Sequence, residues 1–114
     1  MTDSFREPYV DARFNAATGL ARLGNPAAVP VLLDMLDPEL RAGLETETAE
    51  NTRENKRLLV HVNGLRAVEL LAKANPNADL AQLKKAVQQL LADDDLPTGV
   101  KLKAQEVMNV LNDR

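Results

Sequence analysis

A chain of 114 residues with no cysteine, a formal charge of −3 and 45% hydrophobic residues is one domain's worth of sequence, able to bury a modest core. The missing cysteines exclude disulfides, thiol catalysis, cysteine zinc sites and c-type haem attachment. The acidic balance argues against a nucleic-acid partner, which needs a basic surplus or stripe.

The apolar part is Leu, Val and Ala, with 3% aromatics, no tryptophan and no isoleucine. That mixture suits helices packed closely through small residues, and nowhere do Val and Thr alternate with polar residues over strand length. An all-α chain is expected. The opening MTDSFREPYV has no apolar leader core and no run approaches bilayer-spanning length, so a cytoplasmic, non-membrane location is expected.

Residues 1–7 are polar and read as loosely held. A first helix is expected from Pro8 or Tyr9 to Leu23, with Pro8 in the first turn, where its missing N–H costs nothing. Ala16, Ala17, Leu20, Ala21 and Leu23 form its apolar stripe. Gly24 stands where a C′ glycine belongs. Asn25 as N-cap and Pro26 at N1 restart the chain. The second helix is expected over about Pro26 to Leu36, with Val29, Leu32, Leu33 and Leu36 as its stripe and Pro30 still in the tolerant first turn. Neither helix can bury its stripe alone.

Asp37-Pro38 is a further helix-start signature, for a short helix to Leu44. Glu45–Asn55, ETETAENTREN, has no large apolar residue and reads as an exposed loop. The other reading extends the following helix outward by a solvated turn or two. The third helix is the longest, about Arg53 to Ala74. Leu58, Val62, Leu65, Val68 and Ala72 make one stripe, and Leu59, Val60, Leu70 and Leu71 widen it, as for a helix buried on several sides. Asn75-Pro76-Asn77 stops it. Asp79 is placed to cap a fourth helix, Leu80 to Ala92, whose stripe is Leu80, Leu83, Val87, Leu90 and Leu91. Asp93-Asp94-Asp95 ends that helix, with Asp95 available to cap the next. A fifth helix is expected over Thr98 to Asn112, with Val100, Ala104, Val107, Met108 and Leu111 inward.

The helices repeat in pattern. Asn15–Leu23 aligns with Arg66–Ala74, and Asn-Pro follows each, at 25–26 and 75–76. Ala104–Leu111 aligns with Ala16–Leu23. In the second helices, Val29, Leu33 and Leu36 align with Leu83, Val87 and Leu90. The block ARFNAATGLARLGNPAAVPVLLDML resembles a HEAT repeat of the subtype named after phycobilisome lyases: an Ala-rich first helix, a Leu-Gly-Asn-Pro turn, then a Val-Pro-x-Leu-Leu second helix. Residues 56–92 share the periodicity and the Asn-Pro turn but lack the Leu-Gly pair. The resemblance implies a short α-α superhelix, or HEAT-like solenoid, of about five main helices: two helix pairs and a closing helix, with units at about 8–37, 53–92 and 98–112 and an insertion at 38–55. It also implies that second helices line a concave, partner-binding face. It carries no universal catalytic residue.

A search for chemistry finds little. His61 is the one histidine, with Leu58 and Leu65 at helical spacing and no second ligand nearby, so it reads as a structural or surface residue. Glu45, Glu47, Glu50 and Glu54 lack the spacing of a calcium loop. Asp93–Asp95 reads as a solvated helix end, although three acids sit badly against a helix C-terminal dipole. Gly19 and Gly64, inside helices, read as places of close helix–helix approach.

The expectation is therefore a non-enzymatic protein–protein interaction or scaffolding module with no cofactor and no metal. Its partner-binding candidates are Asp34, Lys84, Lys85, Gln88 and Gln89 on the second-helix face. Glu47 and Glu50 join them if the 45–55 segment acts as a clasp. The resemblance implies one alternative, an accessory or chromophore-lyase-like protein related to bilin lyases. The closing helix carries Lys101, Lys103, Gln105, Glu106 and Asn109, as a polar C-terminal cap would. With no comparable N-terminal cap, either a longer repeat array or self-association through Phe5, Tyr9 and Phe14 is expected.

Overall fold

The computed structural model describes the backbone of residues 3–37 and 50–113 and the side chains of residues 12–37 and 57–113. In that part the chain forms five α-helices and no strand: α1 (Asp3–Arg22), α2 (Val29–Met35), α3 (Glu50–Ala74), α4 (Ala81–Leu91) and α5 (Thr98–Asn112), with a 3-10 turn at Pro26–Ala28 leading into α2. The expected short helix at 38–44, and Glu45 and Glu47, lie outside the described residues.

The turn after α1 forms as its residues dictate. The N–H of Asn25 donates to the carbonyl of Leu20 at 2.9 Å and that of Gly24 to Ala21 at 3.0 Å, with Gly24 at φ +73°: a Schellman ending that only glycine adopts without strain. The Asn25 carboxamide oxygen then accepts from the N–H of Ala27 at 2.9 Å, and Pro26 occupies the position that has no use for an N–H.

The helices lie in two rows. α1, α3 and α5 stand side by side with α3 in the middle, and α2 and α4 make the second row. The result is a slab of 44 × 30 × 17 Å. Leu32, Met35 and Leu36 of the α2 segment, Leu65, Val68 and Leu71 of α3, Leu83, Val87 and Leu90 of α4, and Ala104 and Val107 of α5 fill the space between the rows. α4 approaches α5 and α2 more closely than it approaches α3, the helix before it. The second unit is thus held chiefly by its neighbours.

Several expectations need correction. α1 starts at Asp3, so residues 3–7 are helical and Pro8 lies in the helix interior, where it removes one backbone hydrogen bond. α3 starts at Glu50, so the last residues of the 45–55 segment belong to the helix, as the second reading of that segment had it. Leu23 is 82% exposed and Ala16 is exposed; among the described side chains of α1 the buried ones are Phe14, Ala17 and Ala21. Phe14 belongs to the core and reaches the surface only as part of a groove floor, while the side chains of Phe5 and Tyr9 lie outside the described residues. Leu59 and Leu70 of α3 face out, so that helix is not buried on all its apolar sides.

Burial also shifts the repeat register. Ala28, Leu32 and Met35 share the 4–3 spacing of the buried Leu83, Val87 and Leu90, so the second helices align one residue earlier than Val29, Leu33 and Leu36 would place them. Ala104, Val107 and Leu111 share the 3–4 spacing of Phe14, Ala17 and Ala21, which moves the third copy by two residues. One residue along a helix is 100° around it, so half-buried Val29 and Leu33 sit beside the seam, not in it. Gly64 does mark a close approach: a Cβ there would lie 3.0 Å from Met35 Cβ. Gly19 does not, having nothing within 4 Å of such an atom.

Candidate interaction surfaces

The second row presents α4 outward. Its inward positions, Leu83, Val87 and Leu90, are fully buried, which turns Lys85, Gln88 and Gln89 to solvent and leaves Lys84 half-buried. The N-cap of α4 is Leu80, with no side-chain bond, not Asp79 as expected; the Asp79 carboxylate, one residue earlier, accepts from the N–H of Ala81 at 3.1 Å and shapes the turn into the helix. Lys84, Lys85, Gln88 and Gln89 make no side-chain hydrogen bond or ion pair among the described residues. Asp34 of α2 is exposed but engaged: Arg13 of α1 donates to it at 2.6 Å. Its carboxylate therefore reaches across to the first row, and no bond joins it to the α4 lysines. Glu50 begins α3, with its side chain outside the described residues.

His61 is the one buried polar side chain among the described residues, 2% exposed. Its Nδ1–H donates to the carbonyl of Met35 at 2.8 Å, which satisfies one of the orphan acceptors at the end of α2 and ties α3 to it. The structural reading of His61 holds. The acidic run now has a setting. Asp93 and Asp95 meet Arg57 and His61 around a small polar hollow of about 200 Å³, closed by Leu58, Leu96 and Pro97. The Arg57 guanidinium on that hollow is a positive charge near carboxylates that the helix dipole opposes. Asp95 does not cap α5: the N-cap is Pro97, with no side-chain bond, and the Asp93 carboxylate instead accepts from the N–H of Asp95 at 3.0 Å and shapes the turn. No group of three His, Asp or Glu side chains among the described residues is arranged to hold a metal ion.

Between α1 and α3 runs a groove of about 490 Å³. Phe14, Val60 and Met35 form its floor, with Leu59 and Leu70 along one wall and Asn15, Arg22, Asn63 and Arg66 at the rim. Leu59, Asn63, Arg66 and Leu70 are at i, i+4, i+7 and i+11, a second stripe on α3 that the first reading absorbed into a single wide apolar face. The regular polar interleaving was the signal available to separate them.

α3 and α5 are joined at the opposite flank. Lys103 donates to Glu69 at 3.1 Å and Lys73 to the other oxygen of the same carboxylate at 3.2 Å. Burial pushes the Glu69 carboxyl up, but the two ammonium groups outweigh it and hold its pKa below the ordinary value. Lys103 is therefore an internal tie, while Gln105, Glu106 and Asn109 of the closing helix are exposed.

The two units meet at their turns. The Asn75 side-chain amide donates to the carbonyl of Gly24 at 2.9 Å, while its oxygen accepts from the N–H of Asn77 at 3.2 Å. Asn25 and Asn75 thus fold their own turns alike, and Asn75 also grips the turn of the preceding unit. The family described as PBS lyase HEAT-like repeat matches residues 12–38. That segment is a HEAT-like repeat of the phycobilisome-lyase type. The HEAT-like match spans the described residues of α1 from Ala12 onward and all of α2, and the all-α two-row stack fits the superhelical fold of such repeats. No curated protein and no solved structure matches the chain. No helix among the described residues is long and apolar enough to cross a membrane.

Proposed function

We propose that the chain is a non-enzymatic interaction module that binds a protein or peptide across its second-helix face. HEAT-like repeats commonly mediate protein interactions. The observation that supports this face is the set Lys84, Lys85, Gln88 and Gln89, four long polar side chains on one side of α4 with no partner among the described residues. Side chains of that kind lose rotamer freedom on binding but need no internal bond broken to engage a partner. Affinity capture with the wild-type chain and with a Lys84→Glu/Lys85→Glu variant tests the reading. A partner retained by the wild type and lost with the variant supports it; capture unchanged by the substitutions refutes it.

The chromophore-lyase-like alternative is supported by the type of repeat at residues 12–38 alone. Absorbance of the chain mixed with a bilin, before and after gel filtration, distinguishes the two.

A further inference from the structure

The groove between α1 and α3 lies in the other helix row and plays no part in the reading above. Leu59 is 59% exposed and Leu70 36% exposed, while neither α2 nor α4 exposes a large apolar side chain. At the rim, Asn15, Arg22, Asn63 and Arg66 make no side-chain hydrogen bond or ion pair among the described residues. Arg13, Lys73 and Lys103, by contrast, are each held by a carboxylate. The groove therefore combines exposed leucines with two guanidinium groups that no carboxylate holds among the described residues, in a chain whose net charge is −3, and no acidic residue among the described residues lines it.

We propose that this groove docks an acidic amphipathic helix of a partner protein. The occupant follows from shape and charge. A trough between two neighbouring helices accepts the side-chain ridge of a third helix. No strand edge exists among the described residues to template an extended peptide. Leu59 and Leu70 are eleven residues apart on α3, about 16 Å, which three turns of a partner helix cover. Apolar side chains of that helix would lie on Leu59, Leu70, Val60 and Phe14. Glu or Asp side chains flanking them would take the fork-shaped guanidinium groups of Arg22 and Arg66. Asn15 and Asn63 offer amides to the polar edge of the same helix.

The test uses the full chain and a fluorescein-labelled helical peptide of roughly 18 residues, with leucines at i, i+4, i+7 and i+11 flanked by glutamates. A second peptide replaces every glutamate with lysine. Fluorescence polarisation should show saturable binding of the acidic peptide and at least about tenfold weaker binding of the basic one. Arg22→Glu/Arg66→Glu should reverse that preference, and Leu59→Ser/Leu70→Ser should weaken both. Lys84→Glu/Lys85→Glu should leave the acidic peptide's affinity unchanged, which separates this site from the second-helix face. Circular dichroism melts check folding, and the charge-reversed protein's new preference for the basic peptide serves as a gain that misfolding cannot mimic. The proposal is overturned by absence of binding, by equal affinity for the two peptides, or by loss of binding on the α4 substitutions. Sedimentation showing a wild-type dimer that Leu59→Ser/Leu70→Ser dissociates would overturn it too, since the groove would then hold a second copy of this chain.

Discussion

Replacing glycine by alanine at two helical positions should move stability in opposite directions. In a helix interior the exchange is intrinsically favourable by about 1 kcal/mol. At Gly64 the new Cβ would sit 3.0 Å from Met35 Cβ and 3.3 Å from Leu36 Cδ2. Met35 Cβ is fixed to the backbone of α2, so relief requires the helix itself to shift, and its carbonyl is also held by His61. Overpacking of this kind costs about 1–3 kcal/mol. The net expectation for Gly64→Ala is a loss of about 1 kcal/mol. At Gly19 nothing lies within 4 Å of the added atom, and the propensity gain is uncompensated. Gly19→Ala should stabilise by about 0.5–1 kcal/mol. Urea unfolding followed by circular dichroism resolves a gap of about 2 kcal/mol between the variants, provided the slopes agree. A Gly64→Ala protein as stable as wild type would show that α2 can move off α3 freely, and the close approach would lose its structural meaning.

Three further outcomes follow from the contacts described. Asn75→Ala removes the bond to the Gly24 carbonyl and the cap of its own turn, and should destabilise by about 1–3 kcal/mol in thermal unfolding. Asn75→Asp keeps the acceptor for Asn77 but cannot donate, so retention of full stability in that variant would discount the inter-unit bond. His61→Leu leaves the Met35 carbonyl without its buried donor and should cost about 1–3 kcal/mol; urea midpoints unchanged by the substitution would rule out that tie. The lowered pKa of Glu69 makes its contribution to stability full above the unfolded value near 4.5 and lost as pH falls through the folded value. The stability difference between wild type and Glu69→Gln should therefore be positive near neutrality and shrink toward zero on acidification; a difference independent of pH contradicts the pairing with Lys103 and Lys73.

What the sequence disclosed was what neighbouring residues settle among themselves. Gly24, Asn25 and Pro26 form the turn they spell, and α5 runs from Thr98 to Asn112 as its periodicity requires, because caps and turns are decided within five or six residues. The register of the second helices was misjudged because Val29 and Leu33 look more apolar than Ala28, yet the tight seam between the rows selects the smaller side chain. Pro8 reads as a helix start from local rules, and only the structure places it inside α1. For the candidate surfaces the limit was distance along the chain. The polar face of α4 is visible in its spacing. The meeting of Arg57 and His61 with Asp93 and Asp95, or of Arg22 with Arg66, depends on packing between helices that are dozens of residues apart.

The grip of Asn75 on Gly24 bears on how the slab folds. In a stack of repeats, stability divides into what each unit holds for itself and what passes to its neighbour. A hydrophobic seam transmits that coupling loosely, since apolar side chains can slide and still touch. A directional bond from an amide already fixed by its own turn to the carbonyl of a left-handed glycine transmits it in one register only. Slippage of one unit along the other by even a single residue forfeits it. The Gly24 turn is therefore best formed once the Asn75 turn exists, and amide hydrogen exchange there should report the opening of both units together, not of the first alone.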